Sequence, residues 1–113
     1  MEPERYREMR YLILVIVLMM SLTSVYGDTS TPPQTIKVIS TGWGSEGIYI
    51  TTHEGGIVEG CEFARFRLNN DHLYFDKVLS MALSAFHAKS KVVFRVSGCT
   101  GNDMKLIAIA IID

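Results

Sequence analysis

One segment of the chain has a helical hydrophobic period and the rest does not, and this difference limits the folds that the chain can adopt. Between residues 69 and 90, "NNDHLYFDKVLSMALSAFHAKS", apolar residues recur at helical spacing. The runs on either side are β-branched and alternating. We therefore predict one helix inside a β protein, with Asn70 or Asp71 as its N-cap. The expected core-facing stripe consists of Phe75, Val78, Leu79, Ala82 and Phe86.

Three predicted strands precede this helix and two follow it. They cover residues 35–43, 47–52, 62–68, 91–96 and 105–112. The order β-β-β-α-β-β is that of the OB-fold, a small Greek-key barrel. A small α+β sandwich and a helix on an open meander share this order. We predict a mainly β fold with one helix, with an OB-fold-like barrel over residues 35–113 as the leading interpretation.

Two of the predicted strands indicate where the core and the outer surface lie. In the third strand, alternation places Phe66 and Leu68 on the core face, opposite Arg65 and Arg67. The last strand, residues 105–112, is apolar on both faces. One face can meet the helix or the barrel interior, so the other suggests contact with a neighbouring subunit.

The first 34 residues are expected to lie outside the folded domain. Residues 1–27 have a charged start, an apolar run of about 12 residues and a small-residue exit, as in a secretory signal peptide. The run is too short to span a bilayer, which takes about 20 residues. An uncleaved membrane anchor is the alternative. Residues 28–34, "DTSTPPQ", predict a flexible or extended arm. The mature protein would be secreted or periplasmic, without membrane insertion.

Cys61 and Cys99 are the only two cysteines, and both lie in the part that would be exported. An even number of cysteines in a small exported domain predicts a disulfide. Closing that loop would stabilise the fold by about 4 kcal/mol in the chain-entropy model. A metal site would need more Cys and His at matching spacing, and a redox pair is usually C-x-x-C. We therefore predict a structural disulfide.

Several functional classes lack support in the sequence. The formal net charge of −1 gives no electrostatic case for nucleic acid, although Arg65 and Arg67 alternate with aromatic residues as in single-strand binders. His53, His72 and His87 do not have metal-ligand spacing. No nucleophile elbow, P-loop or paired-carboxylate pattern is present. We predict a protein that is not an enzyme and that holds no metal or cofactor.

Two aromatic residues are candidates for ligand contact. Trp43, the only tryptophan, lies between Gly42 and Gly44, where an exposed indole would stack on a sugar ring. The alternative is an indole packed against the end of the barrel. Tyr49 would offer a ring and a hydroxyl to the same face, or would pack against its strand neighbour.

Three segments together suggest a family. Residues 74–99, "YFDKVLSMALSAFHAKSKVVFRVSGC", resemble the helix-plus-strand core of small exported bacterial OB-fold proteins related to the B subunits of subtilase cytotoxin and typhoid-like toxins. Residues 35–52, "TIKVISTGWGSEGIYITT", resemble their first hairpin. Residues 105–113, "KLIAIAIID", are similar to the terminal strand of cholera-type B subunits.

This resemblance implies a binding module without catalysis. Such proteins are often pentamers that recognise cell-surface glycans and carry a toxin A subunit. In the toxin B subunits a hydroxyl residue just ahead of the first strand contacts sialic-acid-type sugars, and Thr35 stands near that position. The alternative is a monomeric periplasmic or envelope protein with a structural or inhibitory role. The mass of the oligomer would separate the two.

Overall fold

The computed structural model describes residues 28–44 and 46–113, so the predicted signal peptide of residues 1–27 lies outside the described residues. Six strands and one helix follow one another in the described part. They are β1 (Thr29–Ser30), β2 (Gln34–Thr41), β3 (Ile48–Thr52), β4 (Phe66–Leu68), α1 (Phe75–Ala88), β5 (Lys91–Thr100) and β6 (Asp103–Ile112).

Five of these strands close into a ring. Antiparallel pairs join β2 to β3, β3 to β4, β5 to β6 and β5 to β2, and the ring is completed by a parallel pair between β4 and β6. The helix lies between the third and fourth ring strands in the chain. The predicted fold class, a mainly β OB-fold-like barrel with one helix, is therefore confirmed, and the open meander is excluded.

Along the barrel strands, side chains at alternate positions point inward and fill the interior of the barrel. Phe66 and Phe94 face each other with ring centroids 4.5 Å apart, and the predicted core residues Phe66 and Leu68 are both buried. Each fully buried side chain of this size stabilises the fold by about 1.5–3 kcal/mol. The other strand residues of the hydrophobic core are Ile36, Ile50, Val92, Val96, Met104 and Leu106.

Helix α1 packs one face against this barrel. Its buried residues are Val78, Ala82 and Ala85, whereas Phe86, at the edge of the predicted stripe, is exposed. Small alanine side chains bring the helix backbone close to the barrel. No helix in residues 28–44 and 46–113 has the length and apolar character needed to cross a membrane.

The predicted N-cap was wrong, because the helix begins four residues later than Asp71. Its N-cap is Tyr74, which makes no side-chain capping bond. The backbone N–H of Tyr74 donates instead to Nδ1 of His72 at 3.0 Å, and Nε2 of the same ring bonds to the carbonyl oxygen of Ile107 at 2.9 Å. A histidine thus links the start of α1 to β6.

The segment that we predicted as a flexible or extended arm is extended and lies against the barrel. Thr29 and Ser30 pair with Val96 and Arg95 of β5. The backbone N–H of Phe94 donates to Oγ1 of Thr31 at 3.1 Å, and the N–H of Thr31 donates to the carbonyl oxygen of Phe94 at 2.8 Å. Strand β1 therefore adds to β5 outside the ring.

Candidate functional site

The turn between β2 and β3, residues 42–47, exposes the largest aromatic side chain of the described chain. Three of its glycines have positive φ, 86° at Gly42, 93° at Gly44 and 125° at Gly47. Trp43 is 75 % exposed, so its indole does not pack against the end of the barrel. A side chain with so large an apolar area gains free energy when a ligand covers it. Trp43 is therefore the leading candidate for ligand contact.

One point of this turn is fixed against β4. A Cβ atom at Gly47 would lie 2.7 Å from the backbone oxygen of Leu68, so no other residue fits without a backbone shift. Oγ1 of Thr41 also donates to the carbonyl oxygen of Gly47 at 2.7 Å. The turn therefore has a defined position at its β3 end, two residues before Tyr49.

Beside the turn, four strands contribute a row of side chains to the outer surface of the barrel. Register pairs link Ser40 to Tyr49, Tyr49 to Arg67 and Arg67 to Lys105. Residues paired in this way point to the same side of a sheet. Because their chain neighbours Ile50, Phe66 and Leu68 fill the core, the row faces outward.

Tyr49 is covered within this row and is only 3 % exposed. The guanidinium carbon of Arg65 lies 4.5 Å from the centroid of the Tyr49 ring, and that of Arg67 lies 5.3 Å from it. Arg65 also lies 5.7 Å from the ring centroid of Phe63. Tyr49 therefore presents its ring to two arginines rather than to solvent.

Both arginines bond to Asp103, whose side chain is 0 % exposed. Arg65 donates from Nε to Oδ1 at 2.8 Å and from Nη2 to Oδ2 at 3.1 Å. Arg67 donates to Oδ2 from Nε at 3.0 Å and from Nη2 at 2.8 Å. A buried carboxylate needs such partners. The hydrogen bonds to Asp103 raise the pKa of Arg65 above its ordinary value, so the guanidinium stays charged.

The disulfide between Cys61 and Cys99 is present, as the sequence predicted, with Cα atoms 5.7 Å apart. It joins the β3–β4 loop to the end of β5. Two backbone bonds run beside it, from the N–H of Phe63 to the oxygen of Asn102 at 2.9 Å and from the N–H of Met104 to the oxygen of Arg65 at 2.8 Å. These links hold Arg65 next to Asp103. The predicted third strand, residues 62–68, is a regular strand only over Phe66–Leu68, and these links hold the residues before it.

Thr35 lies near the other end of β2, about 20 Å along the strand from Thr41, after which the Trp43 turn begins. Its backbone N–H donates to Oε1 of Glu54 at 2.7 Å, and Nζ of Lys91 donates to Oε2 at 3.3 Å. The Thr35 N–H is the main cause of a lowered pKa at Glu54. Desolvation opposes it, and the Glu54 backbone and Lys91 make smaller contributions that lower the pKa further. The structure therefore does not bring Thr35 together with Trp43 and Tyr49.

A cleft of about 390 Å³ opens beside Thr35, between residues 31–34 and the loop that follows β3. Its two buried polar residues, Thr31 and Gln34, both use their side chains in hydrogen bonds within the protein. Oε1 of Gln34 accepts from Oγ1 of Thr52 at 2.7 Å, and Nε2 donates to the oxygen of Pro32 at 3.2 Å. The remaining lining is mainly apolar, with Ile57 and Val58 opposite the two prolines.

The structure gives no metal site in the part of the chain that it describes. No group of three or more His, Cys, Asp and Glu side chains there could hold a metal ion. His72, one of the three histidines considered in the sequence, is engaged at both ring nitrogens as described above.

No protein-family model and no curated protein matches the chain. The resemblance to toxin B subunits therefore stays a prediction, and the function has to be argued from the site itself.

Proposed function

We propose that this is an exported, non-catalytic binding protein of the toxin-B-subunit type, which recognises cell-surface glycans through Trp43 and the adjoining outer face of the barrel. The observation that carries the proposal is the three-quarters exposed indole of Trp43 on a turn shaped by glycines. Sugar rings present C–H faces that stack on an indole, so this side chain suits a carbohydrate.

The position of the turn supports the same ligand class. OB-fold barrels bind oligosaccharides and oligonucleotides on the face of their second and third strands and on the loops that join strands 1–2 and 4–5. In this barrel those parts are the outer face of β3 and β4, the turn of residues 42–47 and the turn of residues 101–102. Trp43, Arg65 and Arg67 lie on or beside these parts.

Export is supported by the disulfide and by the composition of the first residues. Structural disulfides persist in secreted and periplasmic proteins, where thiols are oxidised. The Cys61–Cys99 bond therefore fits the signal peptide that the sequence predicts for residues 1–27.

The proposal includes assembly into a homo-oligomer. Stacking one sugar on one indole contributes about 1–2 kcal/mol by analogy with other aromatic contacts, which alone corresponds to a Kd of about 30–200 mM. Several copies on one particle would supply the missing avidity. Exposed apolar side chains on α1 and β6, namely Met81, Leu83, Phe86 and Ile111, support self-association. We propose a pentamer, the assembly that the resemblance implies, with a toxin A subunit as its partner.

A glycan array combined with light scattering tests this function. The exported protein is expected to give a mass near that of a ring and to bind at least one glycan class. Trp43→Ala is expected to weaken binding about 10-fold, since it removes the stacking energy. Thr35→Ala is the matched control, because Thr35 lies at the opposite end of β2.

Two results would contradict the proposal in different ways. A monomer with no glycan signal would favour the alternative, an envelope protein with a structural or inhibitory role. A ring whose signal survives Trp43→Ala but is lost in Thr35→Ala would move the binding site to the cleft beside Thr35.

A further inference from the structure

His72 lies in the loop between β4 and α1, and two backbone groups fix the state of its ring. The N–H of Tyr74 can only donate, so Nδ1 of His72 accepts from it at 3.0 Å. The carbonyl oxygen of Ile107 can only accept, so Nε2 donates to it at 2.9 Å. Together these bonds need a neutral imidazole with its proton on Nε2, because a charged ring carries protons on both nitrogens.

Proton uptake by His72 breaks one of these bonds and keeps the other. The proton binds to Nδ1 and takes the lone pair that accepts from the Tyr74 N–H, so two donors then face each other. The Nε2–H still donates to Ile107, and the charge strengthens that bond. The charged ring therefore stays on β6, while the start of α1 loses its contact with the ring.

The start of α1 has no capping side chain of its own. Its N-cap, Tyr74, makes no side-chain capping bond, and the backbone N–H of this residue relies on Nδ1 of His72. A positive charge is also unfavourable near a helix N-terminus, where the unpaired N–H groups carry partial positive charge. Both effects oppose the charged form of His72, so the first turn of α1 loses stability as the pH falls.

The charged groups around His72 do not decide this direction. They come from the loop, from α1 in the same surface pocket, and from β6 two positions before the carbonyl that accepts from Nε2, and they are Asp71, Asp76, Lys77 and Lys105. All four are exposed, two are acidic and two are basic, so their effects on a charged ring are screened and oppose one another. The broken hydrogen bond therefore sets the sign.

We propose that His72 is a pH-sensitive link, which holds the first turn of α1 against β6 when the ring is neutral and releases it when the ring takes up a proton between pH 8 and 5. Imidazole is the side chain whose charge ordinarily changes in this range. The released turn contains Phe75, which packs against the core, and it follows Leu73 and Tyr74, which are exposed. Release therefore enlarges an apolar surface at this end of α1. This inference does not rest on the proposed function.

Nuclear magnetic resonance of the intact protein, labelled with ¹⁵N, tests this link. Long-range ¹H–¹⁵N spectra give the tautomer and charge of each histidine, and hydrogen exchange gives the protection of each amide, corrected for the intrinsic pH dependence of exchange. We expect His72 to be the Nε2–H tautomer at pH 8. As the ring becomes charged towards pH 5, protection of the Tyr74 amide should fall about 3-fold, the loss of one exposed hydrogen bond. Protection of Phe94, buried in the barrel, should stay constant.

Two variants separate this link from effects of acid elsewhere. His72→Gln cannot take up a proton, and its amide oxygen offers the Tyr74 N–H a neutral acceptor, so the pH response of that amide should disappear. His87→Gln is the matched control at the other end of α1, where a positive charge is favourable. This control should keep the full response of Tyr74.

Four results would overturn the inference. An Nδ1–H tautomer of His72 at pH 8 would mean that the Tyr74 N–H does not bond to the ring. Constant protection of Tyr74 while the ring becomes charged, or a ring that stays neutral at pH 5, would show that no release occurs in this range. A response that survives in His72→Gln would assign the effect to another group. The wild-type spectra decide the first three results even if His72→Gln does not fold.

Discussion

Two turns of the barrel use glycines with positive φ but are fastened very differently. The β5–β6 turn, with Gly101 at φ 61°, is held by the disulfide of Cys99 and by the bonds of Asp103. The β2–β3 turn is fixed at Gly47, two residues before Tyr49, and it leaves Trp43 in solvent. The β5–β6 turn therefore uses the side chains of Cys99 and Asp103 to hold the fold together, whereas the β2–β3 turn leaves the side chain of Trp43 exposed.

This difference separates residues that the fold needs from residues that it does not. The folded state depends on its buried, paired carboxylate and on the cross-link, which restricts the unfolded chain, so their positions alone do not indicate a ligand. An exposed indole contributes little to stability, so another reason is needed for a tryptophan at that place. Substitutions should accordingly cost stability at Cys99 and Asp103, and binding at Trp43.

The largest effect is expected from removing the disulfide. Cys61→Ser should lower the free energy of unfolding by about 4 kcal/mol, because the cross-link restricts the unfolded chain over a separation of 38 residues. Cys99→Ser and the double variant should fall to the same level, since all three lack the same bond. Urea unfolding measures this. A double variant clearly less stable than either single variant would show that the thiols act in some other way.

Removing the buried carboxylate should have the next largest effect. Asp103→Asn is expected to lower the free energy of unfolding by about 3 kcal/mol, because it leaves two guanidinium groups without their anion. Asp71→Asn is the control, since Asp71 is exposed. Equal stability of the two variants in urea unfolding would mean that the arginines do not depend on Asp103.

A smaller effect is expected within the β2–β3 turn, where two glycines can be compared. Gly44→Ala should cost about 1 kcal/mol, the strain of a side chain at positive φ with open space around it. Gly47→Ala should cost about 1–2 kcal/mol more, because its Cβ would meet the backbone oxygen of Leu68. Thermal unfolding of both variants checks this, and equal losses would contradict the contact with β4.

The helix and most strands could be predicted from the sequence, because the spacing of apolar residues that indicates each element lies within the element itself. The stripe through Val78 and Ala82 and the alternation at Phe66 and Leu68 each indicate which side faces the core, and both are confirmed. The cysteine pairing followed from number and compartment rather than from geometry.

The candidate site was harder to predict, because its contacts join distant parts of the chain. Asp103 looks like any turn aspartate in the sequence, yet Arg65 reaches it across 38 residues once the ring closes. The same closure covers Tyr49 with two arginines. For Trp43, the packed and exposed alternatives share one local sequence, so only the tertiary structure separates them.

The fluorescence of Trp43 tests the central claim most directly, because this is the only tryptophan in the sequence. The intact protein is titrated with the glycan that ranks first on the array, while binding is followed independently by calorimetry. We expect the emission to move to shorter wavelength and acrylamide quenching to fall as the glycan saturates, since the sugar covers an indole that is otherwise in water. Glycan binding by calorimetry with unchanged emission and unchanged quenching would contradict the account.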